Sequence, residues 1–300
     1  MNIQFRHIRA FVTVAIEKSF ARAAARLNVS QPALSQTIIQ LEQDVGFPLF
    51  ARTTRRVELT EEGQRLFDKA RRIQRAVEDF AGEARSLQLS LKNELRVGFL
   101  IGTAVEYIPT IVREFERLHP NAHLALSEFD FSDPTAGLRD HKVDCGIIRP
   151  PIAIDDIHVV ELAREPCVVC LPVGHRLAAR TSVVLADILD EPIISAPGDS
   201  VWRDYWLAME HRGGRMPKVV LEAATVESEL QAVATGKGIS ISAESTAKFY
   251  SRPGVEFRII DDMPACRIGI GYRDTSHRLL ADFIAIVRSV PSPFSDAKKG

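Results

Sequence analysis

The chain has 300 residues, 46% of them hydrophobic and 26% charged, and its formal net charge at pH 7 is −1. This length and composition support more than one domain with a buried core, and without a long uncharged apolar run no membrane span is expected. Basic residues near the N-terminus interrupt any signal-peptide pattern, so secretion is not expected. The cysteines are too few and too scattered for a disulfide framework, which favours a reducing cytoplasm. They are Cys145, Cys167, Cys170 and Cys266.

Positive and negative charges are divided unevenly along the chain. Residues 1–92 contain 15 Lys and Arg and 10 Asp and Glu, a formal charge of +5, whereas residues 93–300 contain 23 and 29, a formal charge of −6. A basic N-terminal region on an acidic body indicates that the first region contacts a polyanion such as nucleic acid.

Residues 19–60 predict two short helices joined by a tight turn and followed by a basic loop that could form a wing. The first helix is rich in alanine, which allows another helix to approach closely, and it ends at Leu27. Asn28 and Val29 form the turn, and Ser30 is well placed as the N-cap of the second helix.

The second helix has one apolar face and a polar N-terminal turn. Leu34, Ile38 and Leu41 recur at i, i+4 and i+7, so they share the buried face. Short polar side chains at the front of an exposed helix are suited to reading base edges in the DNA major groove. The residues predicted to do so are Ser30, Gln31, Pro32, Ser35 and Gln36.

The basic loop after this helix suits contact with phosphates or with the minor groove. Its predicted DNA-binding residues are Arg52, Thr53, Arg55 and Arg56. Two amphipathic helices with an alanine-rich contact also occur in plain helical bundles, which is the alternative interpretation. The N-terminal position, the basic loop and the division of charge favour DNA binding.

One long helix is predicted from residue 61 onward. Thr60 is a candidate N-cap, and Glu61 and Glu62 place negative charge at the positive end of the helix dipole. Apolar residues then alternate at spacings of four and three, which favours pairing of this helix between two chains over packing on its own domain. This seam consists of Leu66, Ala70, Ile73, Val77, Phe80, Ala84, Leu87 and Leu91.

The body after residue 93 alternates strands and helices, which predicts an α/β fold. Its first predicted set is a βαβαβ unit with a parallel sheet, formed by Leu95–Leu100, Ala104–His119, Ala122–Phe129, Pro134–Asp140 and Val143–Ile148. The second set has strands at 167–172, 192–196, 218–222, 239–242 and 267–273 and helices at 201–211, 226–235 and 277–288. Two such units would leave a cleft between them.

In open α/β sheets, ligands bind at the carboxyl ends of strands, where helix N-termini present free N–H groups. Helix N-termini together with Arg149 favour a carboxylate or another small anion. Candidates for an aromatic wall are Phe131, Trp202 and Tyr205. Two simpler alternatives stay open: helix caps for Ser200 and Thr225, and a structural ion pair for Arg149. The predicted effector-binding residues are Gly102, Thr103, Ala104, Phe131, Arg149, Ser200, Val201, Trp202, Thr225 and Val226.

The sequence gives no support for catalysis, a metal site or a cofactor. Cys167 and Cys170 resemble half of a redox or zinc pair, but residues three apart on a strand face opposite sides, so a buried structural pair is expected. The histidines are scattered, and the glycine motifs of nucleotide-binding and nucleophile-bearing loops are missing from the sequence.

The run VSQPALSQTIIQLEQDVGFPLFARTTRRVELTEEG closely resembles the N-terminal signature of LysR-type transcriptional regulators. The resemblance extends more loosely over the whole chain and implies an α/β protein with a two-lobed domain similar to periplasmic binding proteins. The implied parts are a winged helix-turn-helix at 1–60, a linker and dimerisation helix at 61–92, and an effector-binding domain at 93–300. Within that domain, the implied lobe I is 93–164 with 267–300, and lobe II is 165–266.

This resemblance also implies a function and a set of partners. The chain would be a cytoplasmic, sequence-specific regulator that binds double-stranded promoter DNA, contacts RNA polymerase and assembles as a dimer of dimers. A small effector, anionic by this interpretation, would alter how the tetramer bends the DNA. The polar front of the second helix would face the major groove, and Arg52 the minor groove or a phosphate. The alternatives are a solute-binding protein or an enzyme on the same two-lobed scaffold.

Three runs, GFLIGTAVEYIP, IIRPPI and ESELQAVATGKGIS, resemble family members that sense metabolites of aromatic degradation. In those members a hydroxyl residue commonly occupies the position of Gly102 and a threonine that of Phe131. Without both hydroxyls, the ligand is expected to be less polar than a dicarboxylate, or to be held by backbone donors and Arg149. The family also often has basic residues where this chain has Gln36, Ile39 and Gln40, so phosphate affinity is expected to rest on the wing.

Overall fold

A computed structural model describes residues 2–52, 57–91, 93–273 and 277–290. The chain divides into two compact units, residues 1–83 and 84–300, and the boundary falls inside a long helix. Across the described ranges, no helix is both long enough and apolar enough to cross a membrane.

The first unit contains three helices, a two-stranded wing and the first part of a long helix. Its elements are α1 (Phe5–Glu17), α2 (Phe20–Leu27), α3 (Gln31–Val45), β1 (Phe50–Arg52), β2 (Val57–Leu59) and α4 (Glu61–Leu91). The strands β1 and β2 pair antiparallel. The predicted pair of short helices, the wing and the long helix are therefore all present.

Side-chain caps and a left-handed residue set the geometry of α2 and α3. Ser19 Oγ accepts a hydrogen bond from the amide of Arg22, as expected of an N-cap. Ser30 Oγ accepts one from the amide of Ala33 at 3.3 Å, which confirms the predicted cap of α3. Asn28 ends α2 with a φ of 54°, and this left-handed residue makes the tight turn between the two helices.

Aromatic packing and one carboxylate join the helices to the wing. Phe11 packs edge to face on Phe50 of β1, with ring centroids 5.6 Å apart, and on Phe67 of α4 at 6.3 Å. Glu42 Oε1 of α3 accepts hydrogen bonds from the amides of Leu49 and Phe50, at 2.7 and 3.2 Å. This carboxylate fixes where β1 starts relative to the end of α3, so it positions the wing.

Thr60 and a glycine one turn later determine how α4 begins. Thr60 Oγ1 accepts a hydrogen bond from the amide of Gly63 at 3.0 Å, which confirms the predicted cap. A Cβ atom on Gly63 would lie 2.2 Å from the carbonyl oxygen of Leu49, so a larger residue would push α4 away from the chain that precedes the wing.

The apolar seam of α4 is divided between a core and solvent. Leu66 and Ala70 pack into the core of the first unit. Farther along the helix the seam is exposed, with Phe80 at 76% and Leu91 at 89% of full exposure. The other exposed large residues of the seam are Ile73, Val77 and Leu87. This exposure leaves most of the predicted pairing surface available on a single chain.

The second unit contains the remaining elements. The first are β3 (Glu94–Leu100), α5 (Ile108–Leu118), β4 (His123–Phe129), β5 (Cys145–Ile148) and β6 (His158–Glu165). There follow β7 (Cys167–Pro172), β8 (Ser182–Val183), α6 (Leu185–Ile188), β9 (Ile193–Ser195), α7 (Val201–Trp206), β10 (Val219–Glu222), α8 (Val226–Ala234), β11 (Ser240–Ala243), α9 (Glu244–Phe249) and β12 (Val255–Ile260). The last are β13 (Cys266–Tyr272) and α10 (Leu280–Ser289).

Strand pairing divides the second unit into two lobes. The sheet of the first lobe has the order β4-β3-β5-β13-β6, and β3 runs parallel to both β4 and β5. The second lobe contains a sheet of order β11-β7-β12-β8 and a parallel pair, β10-β9. The three strands of the predicted βαβαβ unit are parallel, as expected. The sheet is mixed as a whole, because β13 returns from the second lobe and pairs antiparallel with β5 and β6.

Two helices predicted in the first lobe differ from the structure. The helix expected from Ala104 begins only at Ile108, because Gly102 and Ala104 have left-handed φ angles of 75° and 59°. Residues 134–140 form turns instead of a helix, and Gly137 within them has a φ of 81°. Both departures lie in segments that follow strands of the first sheet, β3 and β4.

Several elements of the second unit are not evident from the sequence pattern. These are β6, β8, β12, α6 and α9. The helix expected over 201–211 ends at Trp206, because Ala208 takes a left-handed φ of 51° and a 3₁₀ turn follows at Met209–His211. The shorter α7 still carries both tryptophans of the chain.

Candidate functional site

The N-terminal turn of α3 presents the side chains that the sequence predicts to read DNA. Ser30, Gln31, Pro32 and Gln36 are exposed, and Ser35 is half-buried. The predicted leucine and isoleucine residues on the other face of the helix are buried in the core of the first unit. The structure thus brings these polar residues together on one exposed surface, and their contact with bases stays a prediction.

The basic loop lies between the two strands of the wing. Arg52 is the last residue of β1 and pairs with Val57 of β2. The side chain of Arg52 and the residues Thr53, Arg55 and Arg56 lie outside the described residues. The DNA-binding role of these residues also stays a prediction.

A cavity lies between the two lobes of the second unit, at the carboxyl ends of β3, β5 and β9. Its empty volume is about 520 Å³, including the part that is open to solvent. From the first lobe, the cavity is lined by Leu100, Ile101, Gly102, Thr103, Phe131 and Arg149. From the second lobe, mostly apolar residues of β9, α7, α8 and β11 line it.

The cavity brings together six of the ten residues predicted to bind an effector. These are Gly102, Thr103, Phe131, Arg149, Trp202 and Val226. The other four, Ala104, Ser200, Val201 and Thr225, are not among the described residues that line it. Ser200 Oγ accepts a hydrogen bond from the amide of Arg203, and Thr225 Oγ1 accepts one from the amide of Ser228, each at 3.1 Å. Both hydroxyls therefore serve as helix caps.

Gly102 gives the cavity wall a shape that a side chain would change. Its φ of 75° is left-handed, and a Cβ atom there would lie 2.8 Å from Cγ2 of Val226. A hydroxyl-bearing residue at this position would strain the backbone and press on Val226 from the opposite lobe. The glycine therefore keeps this part of the cavity open.

Arg149 is bound by protein groups on several sides. Its guanidinium forms a buried ion pair with Glu165 and donates a hydrogen bond to Ser245 Oγ at 2.9 Å. Glu165 Oε2 in turn accepts a hydrogen bond from the amide of Ser245 at 2.7 Å. A further contact, 3.4 Å from Nη1, is made with the Sγ atom of Cys266. Because Ser245 belongs to α9 and Arg149 follows β5, this network ties the two lobes together.

Three buried donor groups on cavity-lining residues have no hydrogen-bond partner in the described structure. They are the hydroxyl of Thr103 and the indole N–H groups of Trp202 and Trp206. The two indole rings lie edge to face with centroids 5.9 Å apart, and Phe131 packs on Trp202 at 5.2 Å. Phe131 and Trp202 line the cavity as predicted, whereas the predicted Tyr205 is not among the described residues that line it. Trp206 is a further ring of the wall that the sequence pattern did not single out, although it lies at i+4 from Trp202.

Glu229 is a second lining residue that the sequence analysis missed. It lies at i+3 from Val226 in α8, so both residues share one face of that helix. Burial raises the pKa of Glu229 to about 7, and the nearby hydroxyl of Ser240 opposes this shift. Its titratable neighbour is the thiol of Cys170, whose own pKa is raised well above its usual value by burial.

The stability of the second unit is expected to fall as the pH rises, and to fall less in Glu229→Gln than in wild type. The folded chain holds the Glu229 proton up to about pH 7, while the unfolded chain releases it near pH 4.5. Stability is therefore lost between these two values, by about 3 kcal/mol in total. Thermal unfolding of both proteins from pH 5 to pH 8 checks this, with the exposed Glu227→Gln of the same helix as a matched control. A stability difference between wild type and Glu229→Gln that does not change with pH would contradict it.

The cysteines behave as structural residues. Cys167 and Cys170 are buried in different clusters on opposite sides of β7, as the sequence predicts. The Cys167 Sγ atom lies 3.4 Å from the hydroxyl of Tyr205, and all four thiols are free. Within the described ranges, no group of His, Cys, Asp and Glu is arranged to hold a metal ion.

Comparison with known proteins identifies the family. Residues 5–64 match the family described as "Bacterial regulatory helix-turn-helix protein, lysR family", and residues 89–291 match "LysR substrate binding domain". The chain is 32% identical to the HTH-type transcriptional regulator AlsR of Bacillus subtilis, with 95% of each protein covered. Its identity to the Hca operon transcriptional activator HcaR of Escherichia coli is 29%, over 95% of this chain and 97% of that one.

A solved structure shares the fold over nearly the whole length. Full-length BenM, an HTH-type transcriptional regulator of Acinetobacter baylyi, is 25% identical with a TM-score of 0.54, and the match covers 95% of this chain and 96% of BenM. These relatives are transcriptional regulators. The chain belongs to the LysR family of transcriptional regulators, with an N-terminal helix-turn-helix and a two-lobed substrate-binding domain.

Proposed function

We propose that this regulator binds promoter DNA through the front of α3 and its wing, and that a small organic effector in the cavity modulates the binding and bending of that DNA. The observation that supports the effector site is the set of three buried donors on cavity-lining residues, none with a partner in the described structure. Burying a donor without an acceptor is costly, so a ligand or ordered water is needed to complete the site.

The DNA contacts divide between two kinds of residue. Amide and hydroxyl side chains at the front of α3 read base edges, because Gln pairs with adenine edges and Ser with several bases. The arginines of the basic loop supply phosphate and minor-groove contacts. The exposure of Gln31 and Gln36 supports the first part of this proposal. Cytoplasmic location and contact with RNA polymerase belong to the same proposal, and the free cysteines fit a reducing compartment.

Aromatic compounds are the effector class that the cavity wall favours. Phe131, Trp202 and Trp206 contribute rings to one region of the cavity. Ring-on-ring contacts of this kind favour a flat apolar ligand body. This agrees with the subgroup suggested by the sequence, the members that sense metabolites of aromatic degradation.

Assembly of the proposed tetramer begins with pairing of α4. The exposed apolar residues of its seam continue from Ile73 to Leu91, about five turns beyond the core of the first unit. In water such a row is stabilised by burial against the same row of a second chain. A dimer of dimers then presents several helix-turn-helix domains to one promoter.

Phe80→Glu is expected to raise the dissociation constant of the dimer by roughly 30-fold, because it places a charge where an exposed aromatic ring would be buried between two helices. Sedimentation equilibrium of the full chain measures the effect. Arg85→Glu introduces the same residue at an exposed position away from the seam and is the matched control. Equal dissociation constants for the two variants would show that α4 does not pair through this seam.

The proposal as a whole is tested by a mobility-shift titration of the full chain on the DNA upstream of its own gene, in the presence of excess unrelated DNA. A shifted complex that survives competition is expected, and complexes lost to the competitor would reject promoter recognition. A solute-binding protein on the same scaffold would give no shift at all.

A further inference from the structure

The charged residues of the cavity wall indicate which charge a bound ligand can carry. Arg149 is the single cationic residue among the described residues that line the cavity, and Glu229 is the single acidic one. The guanidinium of Arg149 is already neutralised by Glu165, with side-chain exposures of 5% and 0%. Its hydrogen bond to Ser245 occupies another of its N–H groups. Little positive charge is left for an anionic ligand.

Glu229 makes the wall still less favourable for an anion. It lies in α8 of the second lobe, whereas Arg149 follows β5 of the first. An anionic ligand held between the lobes would therefore face the carboxyl group of Glu229 without a free counter-charge from Arg149. In this buried site, a carboxylate on the ligand and the ionised carboxyl group of Glu229 would repel each other.

The wall groups that have no hydrogen-bond partner are donors, so they need a ligand that supplies hydrogen-bond acceptors and not one that supplies negative charge. The indole N–H groups of Trp202 and Trp206 can only donate, and the hydroxyl of Thr103 can donate as well. Carbonyl and hydroxyl oxygens of an uncharged molecule satisfy such donors without adding charge. The rest of the wall is mostly apolar, with Phe131, Val226 and Ile241 among its members. The hydroxyls that also line it, of Ser195, Ser242 and Thr246, already have hydrogen-bond partners within the protein.

We infer that the cavity selects an uncharged molecule with an aromatic body and a carbonyl or hydroxyl oxygen, and that it discriminates against the corresponding carboxylate. This inference rests on the proposed function, since it specifies the effector of the same site. Helix N-termini and Arg149 had led to the expectation of an anionic effector. The inferred ligand is uncharged instead, because the positive charge of Arg149 is paired with Glu165 within the protein.

The test uses matched compounds that differ only in the polar group. Benzamide, benzaldehyde and benzyl alcohol are compared with benzoate, and phenylacetamide with phenylacetate, by thermal shift of the full chain at pH 7.5. A ligand that binds only the folded state raises the unfolding midpoint by mass action. At least one uncharged compound is expected to raise the midpoint, with its carboxylate partner at least tenfold weaker in a calorimetric titration. Stabilisation by the carboxylates instead, or by none of the uncharged compounds, overturns the inference.

Two tryptophan variants locate the binding. Trp202→Phe and Trp206→Phe keep an aromatic ring and remove one donor each, so each is expected to weaken binding of the uncharged compound by up to about tenfold. Tyr205→Phe is the control on the same helix, because its hydroxyl contacts Cys167 and the carbonyl of Pro264. Equal affinities for all three variants would place the ligand elsewhere and overturn the inference.

A separate readout keeps this inference distinct from the proposed function. The mobility shift on upstream DNA needs no compound. Intact DNA binding with carboxylate preference rejects only the ligand class, whereas loss of specific DNA binding rejects the proposed function itself.

Discussion

Arg149→Ala is expected to lower the free energy of unfolding of the second unit by about 3–5 kcal/mol. The substitution removes the cation of a buried ion pair and leaves the carboxylate of Glu165 buried without a counter-charge. It also removes the hydrogen bond to Ser245 in α9, which ties the two lobes together. Both losses act on the same network, so their effects are not separable by this variant alone.

Calorimetry of the full chain measures the transition of the second unit for wild type and Arg149→Ala. Arg164→Ala is the control, because it removes an arginine from an ion pair with Glu161 that is exposed on β6. Exposed pairs contribute little to stability, so the control is expected to change the transition only slightly. Similar destabilisation by the two substitutions would show that the buried ion pair of Arg149 contributes no more to stability than an exposed one.

Replacement of Gln31 and Gln36 by alanine is expected to remove sequence-specific DNA binding while non-specific binding persists. Each lost base contact costs about 1–3 kcal/mol, a weakening of roughly 5- to 150-fold for each residue. Both side chains are exposed, so the fold of α3 does not depend on them. Competition titrations with upstream and unrelated DNA measure the ratio of the two affinities.

Gln43→Ala is the matched control for this prediction. Gln43 is also exposed on α3, but it lies three turns from the N-terminal end that faces the proposed DNA. Its replacement is expected to leave the affinity ratio unchanged. Equal ratios for the Gln31, Gln36 double variant and for wild type would show that the front of α3 does not read bases.

The first unit was largely predictable because its signals are local. Ser30, Asn28 and Thr60 act within one or two turns of their own positions, as a cap, a left-handed turn residue and a second cap. Leu34 and Leu41 are seven residues, or two helical turns, apart, which similarly predicts that they share one face of α3. What the sequence did not show is the carboxylate of Glu42 that positions the wing, since its partners are amides seven and eight residues away.

The second unit was less predictable because its determinants are distant in sequence. The strand β13 pairs with β5 and β6 only after the chain has built the second lobe, so alternation alone showed the parallel strands but not the antiparallel part of the first sheet. Arg149 looked like an anion receptor because Glu165 and Ser245, which neutralise and orient it, follow 16 and 96 residues later. Trp206 lies four residues after Trp202 and Glu229 three residues after Val226, so helical spacing alone could have predicted both.

A two-fold assembly of this chain is proposed to read promoter DNA through α3, and footprinting on the DNA upstream of its own gene tests this arrangement. Paired half-sites on one face of the duplex, separated by whole helical turns, are the predicted protection pattern for wild type. The Gln31, Gln36 double variant is predicted to lose both protected sites at the same protein concentration. Uniform protection without half-sites, or the same pattern from wild type and the double variant, would show that α3 does not read the promoter in this way.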